Sequence, residues 1–245
     1  SSSGTAAAVA SRMLPVALGT HARGSTIRPA SFCGVHAIKP TFGAINRQGS
    51  FSMAYSMDHV GVFAGTLSDM WTTARFIASE AGGDPSYPGL YGEIAPPAPR
   101  KPARLIRLET AGWAAAESAA KAAFESYLAR LTQAGVEIVT RQSDPAVEAY
   151  ETLHLRTPQL WTNLYRFEMH WPKLQYRERY GDKMPPRLLK GIEDGAGITL
   201  ETYRAALKER ETFRTTHDDL AKRADGFITL SSPGPGPIGM DQGSA

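Results

Sequence analysis

The sequence holds one cysteine, Cys33, in 245 residues, so no internal disulfide can form. Set in Phe32-Cys33-Gly34-Val35, it reads as a small hydrophobe rather than a reactive thiol. No run approaches the roughly 18 apolar residues of a membrane-spanning helix, and no charged-then-apolar leader marks the chain for secretion. A cytoplasmic location is the expectation. Charge of one sign is scarce as well, with 27 Lys and Arg against 24 Asp and Glu and a net charge of +3. Through residues 166–224 the two signs are interspersed, the pattern of solvated helix faces and not of a nucleic-acid surface. Neither a nucleic-acid nor a membrane partner is expected.

Several catalytic signatures are missing too. No Gly-x-Ser-x-Gly elbow occurs, which argues against a Ser-His-Asp hydrolase of that kind. Asp58 and His59 are neighbours, but adjacent side chains on a strand face opposite sides. No His-Glu-x-x-His occurs, and His154 and His170 fit no common metal spacing. Ser118-Ala119-Ala120-Lys121 is the sole Ser-x-x-Lys. It lacks the motifs that accompany it in penicillin-recognising enzymes and reads as a solvated face in the middle of a helix. There is no internal repeat.

What is present is concentrated in residues 1–40. Ser1-Ser2-Ser3-Gly4 stands before the helix formers Thr5 to Arg12, where serine hydroxyls can satisfy the unpaired N–H groups of a first turn. Pro15 stops that helix, and Val16-Ala17-Leu18 reads as a short buried strand bounded by Gly19. Between Gly24 and Pro29 a tight turn is expected. Such a turn would bring Ser25 back to Ser1, and its consecutive amides could converge on one developing negative charge.

Further along, Phe42 to Ser52 reads as loop and Val60 to Ala64 as a short strand. Thr66 with Asp69 is a capping-box pattern that opens a helix ended by Gly82-Gly83. A Pro-rich connection follows, over residues 86–102. Arg104 to Leu108, Ala114 to Thr132 and Val136 to Val139 form a strand-helix-strand unit, which implies parallel neighbours and an α/β sheet. Residues 145–195 read as helical, with Trp161, Tyr165, Phe167, Trp171 and Tyr176 either in helix core or lining a pocket. Leu200 to Ala224 is a long helix and Gly226 to Leu230 a last strand.

Taken together, Ser1 to Ala10, Leu18-Gly19-Thr20, Gly24 to Ala30, Phe32 to Val35 and Lys39-Pro40-Thr41 resemble the amidase signature family in order and spacing. Ser56 to Gly61 with Phe63-Ala64, Gly82 to Pro85 and Ser231-Ser232-Pro233 fit the same pattern. The resemblance implies an α/β/α sandwich with a mixed central sheet, incomplete at both ends. It implies one domain over residues 1–245, with a core at 1–85, the connection at 86–102, an α/β and helical remainder at 103–230 and a loop or disordered end at 231–245.

It also implies an amidase that hydrolyses a carboxylic amide to acid and ammonia or amine, with no metal or organic cofactor, a small-molecule amide as substrate and a homodimer as the assembly to test. Ser25 matches the nucleophile and Ser1 the serine that relays protons to a lysine. In the family that lysine precedes the glycine-serine stretch at which this sequence begins, as does the cis peptide bond before the relay serine. The chain is therefore expected to be a piece of a longer protein, inactive alone. The N–H groups of Ala22, Arg23, Gly24 and Ser25 would hold the oxyanion, with Arg23 standing where the family has a glycine. Arg28 and Thr20 are candidate substrate-binding residues; Arg28 could instead pair with a neighbouring acid or carbonyl and hold the turn. Two alternatives stay open: the A-type subunit of a tRNA-dependent amidotransferase, and a non-catalytic fragment or binding module.

Overall fold

The computed structural model describes residues 2–239, the side chain of Asp182 excepted. They form two compact units, residues 2–99 with 235–239, and residues 100–234.

The first unit runs α1 (Ser3–Ala10), β1 (Val16–His21), α2 (Ile27–Cys33), β2 (His36–Ile38), β3 (His59–Ala64) and α3 (Leu67–Ala81). Central β3 is antiparallel to β1 on one side and β2 on the other. Strand alternation sorts their side chains between two faces. Ala17, Gly19 and His21 lie opposite Phe63, Gly61 and His59 on one face, and there Phe63 packs with Ala6 and Val9 of α1 and Ala30 of α2. On the other face Val62, with Ile38 and Val60, meets Ile45 and the α3 residues Ala74 and Ala78. The unit is thus helix, sheet, helix in section. Phe63 is fully buried, and its truncation to Ala would cost about 3–5 kcal/mol.

Four local expectations change. The first helix ends at Ala10, and Arg12 turns the chain in the left-handed region at φ 61°, before Pro15 is reached. Ser2 does not cap the helix with its hydroxyl; its Oγ donates to the carbonyl of Thr20 at 3.3 Å. The strand at Val16 extends to His21 and is only half buried, with Leu18 53% exposed, because β1 is an edge strand. The stretch after Gly24 is not merely a turn, since α2 begins at Ile27. At α3 the expected cap is present: Thr66 Oγ1 accepts the Asp69 N–H at 3.0 Å and donates to the Asp69 carboxylate at 2.8 Å, an arrangement worth about 1 kcal/mol.

The second unit holds β4 (Arg104–Arg107), α4 (Ser118–Gln133), β5 (Glu137–Val139), α5 (Pro145–His154), α6 (Thr157–Tyr180), α7 (Pro186–Ala196), α8 (Leu200–Ala221) and β6 (Gly226–Ile228). β4 lies between β5 and β6 and is parallel to both, with helices supplying the crossovers that parallel pairing requires. The first crossover helix starts at Ser118 rather than Ala114, because Trp113–Ala115 forms a 3-10 turn. Ser118 therefore opens a helix instead of sitting inside one, and Lys121 Nζ lies 5.4 Å from the Trp113 ring centre. The aromatic set divides. Trp161 stacks on Tyr165 at 4.3 Å and Phe167 on Tyr203 at 4.1 Å, while Trp171 is 64% exposed. Parallel and antiparallel strands covered by helices make this an α/β fold.

Candidate active site

Two glycines create the space in which the serine turns meet. Gly19 and Gly61 face each other across β1 and β3, so the side chains they lack would project from the same face. A Cβ on Gly19 would fall 2.6 Å from Ser2 Oγ and 2.8 Å from Phe63. A Cβ on Gly61 would fall 2.5 Å from Thr26 Oγ1 and 2.7 Å from Thr26 Cγ2. Glycine at both positions lets Ser2 and Thr26, the neighbours of Ser1 and Ser25, settle onto the bare backbone of the sheet. Ser2 N–H donates to the Ser25 carbonyl at 3.1 Å, which ties the start of α1 to the Ser25 turn. Ser1 itself lies outside the described residues.

The turn is held from its other side by a ring. Thr26 N–H donates to His21 Nδ1 at 3.1 Å, and Thr26 is fully buried. The Gly24 carbonyl accepts the Arg28 N–H at 3.0 Å, entering α2. Arg23 is not among the residues with positive φ, and a Cβ on Gly24 would meet nothing within 4 Å, so Arg23 fits the turn without left-handed strain. Burial, and then the charge of Arg28, lower the pKa of Arg23; Ala22 to Arg28 therefore carry two neighbouring cations close to Ser25. Thr20 stands apart. It is exposed on the face opposite Gly19 and His21, and only its carbonyl, bonded to Ser2 Oγ, joins the cluster.

Behind the turn lies a group of bases that the motif reading passes over. His59 pairs with His21 across the strands, with ring centres 6.1 Å apart, and His59 Nδ1 donates to the His21 carbonyl at 3.1 Å. Burial, followed by the charge of Lys39, holds both imidazoles at about 4. Burial also lowers Lys39, whose Nζ donates to the Pro40 carbonyl at 2.7 Å. The loop carrying Lys39 is fixed by Arg47. Its guanidinium bonds Asp84 at 2.6 Å and the carbonyls of Tyr55 and Asp58 at 2.8 and 2.9 Å. The Asp58 carboxylate accepts from Ser52 Oγ and from the amides of Met53 and Ala54; it serves this loop and not His59. Among the described residues no cluster of His, Cys, Asp and Glu could hold a metal, and no helix is long and apolar enough to cross a membrane.

A family model described as Amidase matches residues 1–231. The chain belongs to the amidase signature family. Among its relatives, the A subunit of the glutamyl-tRNA(Gln) amidotransferase of Koribacter versatilis is 31% identical over 258 residues, 96% of this chain and 53% of that protein. The corresponding protein of Chlamydia pneumoniae is 49% identical over 70 residues, 29% of this chain and 14% of that one. A crystal structure of an amidase superimposes with a TM-score of 0.77 over 96% of this chain and 49% of its own, at 22% identity, and this likeness concerns the fold. The chain spans about half the length of the curated relatives it matches end to end.

The signals that could expose His21, His59, Thr26 and Gly61 in the sequence are faint. A glycine inside each of two strands marks close backbone approach. The pairing that puts those glycines face to face is a long-range fact.

Proposed function

We propose that this chain carries the serine half of an amide hydrolase active site. The observation behind the reading is the Ser2 N–H to Ser25 carbonyl bond over the Gly19–Gly61 gap, because it sets the residue after Ser1 against the turn that bears Ser25. Ser25 Oγ attacks the amide carbon, and its proton passes through Ser1 to a lysine supplied by a segment upstream of Ser1. The N–H groups of Ala22, Arg23, Gly24 and Ser25 stabilise the oxyanion. Collapse breaks the C–N bond, the leaving amine takes the relayed proton, and water then cleaves the Ser25 ester to release the acid. Arg28 offers a guanidinium fork to a substrate carboxylate. Thr20 contributes by its carbonyl, which orients Ser2.

The test is amide hydrolysis by the chain alone and by the chain extended upstream with a lysine-bearing segment. The chain alone should show negligible turnover, since a general base contributes a factor of about 100 to 10,000. The extended chain should turn over a simple amide, Ser25→Ala should abolish this with the fold intact, and Ser1→Ala should reduce it less completely. Enzyme-like hydrolysis by the chain alone that Lys121→Ala removes would defeat the reading.

One observation favours a second reading. Three curated relatives aligned over nearly the whole chain are glutamyl-tRNA(Gln) amidotransferase A subunits. In that role the protein would work with partner chains and pass ammonia on; binding of charged tRNA and of a second protein chain would decide for it. The cytoplasmic location and the homodimer belong to the hydrolase proposal and are checked by fractionation and sedimentation. The family match runs through both units, which supports assigning them to one domain.

A further inference from the structure

We propose that His21 is a positioning residue for the nucleophile turn, its unprotonated Nδ1 fixing Ser25 by accepting the N–H of Thr26. This rests, in its catalytic meaning, on the reading of Ser25 as nucleophile; the hydrogen bond itself does not. Ser25 is clamped on both sides of its own peptide unit. Its carbonyl accepts from Ser2 N–H at 3.1 Å, and the amide that follows it donates to His21 at 3.1 Å. Rotation of that unit must break both bonds, so together they fix the backbone from which the Ser25 side chain projects.

The acceptor has to be a ring nitrogen without a proton. His21 ends β1 on the helix-covered face and is 9% exposed, so no solvent route replaces the bond. With Nδ1 accepting, the single proton of the neutral ring sits on Nε2. Protonation would place an N–H against the N–H of Thr26, two donors facing each other, and release the turn.

Burial is the largest influence opposing protonation of the ring, followed by the charges of Lys39, His59 and Arg28. Arg28 acts on the ring from α2, His59 from β3 and Lys39 from the end of β2, and α1 carries no titratable side chain. Together burial and these charges keep the ring neutral down to about 4. His59 plays a supporting part, since its Nδ1 proton bonds the His21 carbonyl and fixes the backbone from which the His21 ring projects. His21 acts on Ser25 through Thr26, at one remove from any substrate.

Two experiments separate this proposal from the reading it rests on. In the 15N-labelled 245-residue chain at neutral pH, long-range proton–nitrogen spectra should show His21 protonated at Nε2 only. A 15N–15N coupling across the hydrogen bond should link His21 Nδ1 to the Thr26 amide and vanish as the pH falls through about 4. A His21 protonated at Nδ1 at neutral pH, or no coupling to Thr26, overturns the proposal. In the extended chain, His21→Leu should lower kcat about 100-fold, the scale of a small misplacement of a reacting group, with KM little changed. His21→Asn, which returns an acceptor oxygen, should recover most of that loss. Equal kcat in both variants and wild type also overturns it, and if His21→Leu does not fold the coupling in the wild-type chain decides. Retained activity in Ser25→Ala, with the coupling present, would instead refute the nucleophile assignment and with it the catalytic role of His21.

Discussion

Gly61→Ala is the substitution whose effect the structure states most directly. The added methyl carbon would lie 2.5 Å from Thr26 Oγ1, 2.7 Å from Thr26 Cγ2 and 3.1 Å from the Ile38 carbonyl oxygen, where carbon contacts normally settle near 3.5–4.0 Å. Thr26 cannot yield cheaply. It is fully buried and its N–H is bonded to His21, while the Ile38 backbone belongs to the paired strand β2. Relief therefore requires a shift of about 1 Å in a packed interior, an overpacking penalty of roughly 1–3 kcal/mol. The assay is denaturant unfolding of the 245-residue chain, read as a lowered midpoint at constant slope. Thr26→Ala removes both crowded atoms, so the Gly61→Ala/Thr26→Ala double variant should lose much less than the sum of the single changes. A coupling of about 0.5–3 kcal/mol is expected for residues in such contact. Simple additivity would show that Thr26 does not rest on Gly61, and the account of how the serine turns meet would fail.

Other consequences are testable in the same way. Thr26 Oγ1 is buried with no hydrogen-bond partner among the described residues, so Thr26→Val should hold or raise stability where a satisfied hydroxyl would lose roughly 1 kcal/mol; unfolding curves distinguish the two. The folded-state pKa of His21, about 4, lies below its ordinary 6.5. The unfolded chain thus binds the proton first, and stability should be full above pH 6.5 and fall as the pH drops toward 4, by about 3 kcal/mol at most from this ring. His21→Asn should remove this share of the fall and leave the share that His59 contributes over the same range. Arg47→Ala removes the partner of a 9%-exposed Asp84 carboxylate and two carbonyl bonds, and should destabilise the first unit by roughly 3–5 kcal/mol in thermal unfolding. If Arg28 holds substrate, Arg28→Met in the extended chain should weaken an acid-bearing amide by about 1.5–3 kcal/mol and leave a neutral amide nearly untouched. Equal damage to both with a lowered Tm would make Arg28 structural.

Much of the fold can be read locally. The helix opened by Thr66 and Asp69, the strand-helix-strand unit around α4 and the long α8 all follow from periodicity and capping, which act within a few residues. Three features escape for physical reasons. β2 is three residues long, too short for alternation to register. α2 is hidden by Gly24 and Pro29, which read as turn residues although Pro is tolerated in a first helical turn. The apolar run of β1 suggests more burial than the strand has, because its sequence does not reveal that it lies at the sheet edge. At the site, the serine pieces stand out by motif, whereas His21 and His59 are 38 residues apart and acquire meaning only when β1 and β3 pair. Histidine in isolation suggests a triad or a metal, and here the contacts are with a backbone amide and a backbone carbonyl.

The central claim is that Ser25 is the group acylated during amide cleavage. The direct measurement is to quench the extended chain during turnover of an aryl amide or the matching activated ester, digest it, and locate the acyl group by mass spectrometry. The acyl group should lie on the peptide carrying Ser25 in the wild-type sequence and be absent in Ser25→Ala. An acyl group on Cys33 or Lys121, or an unchanged rate in Ser25→Ala, would contradict it.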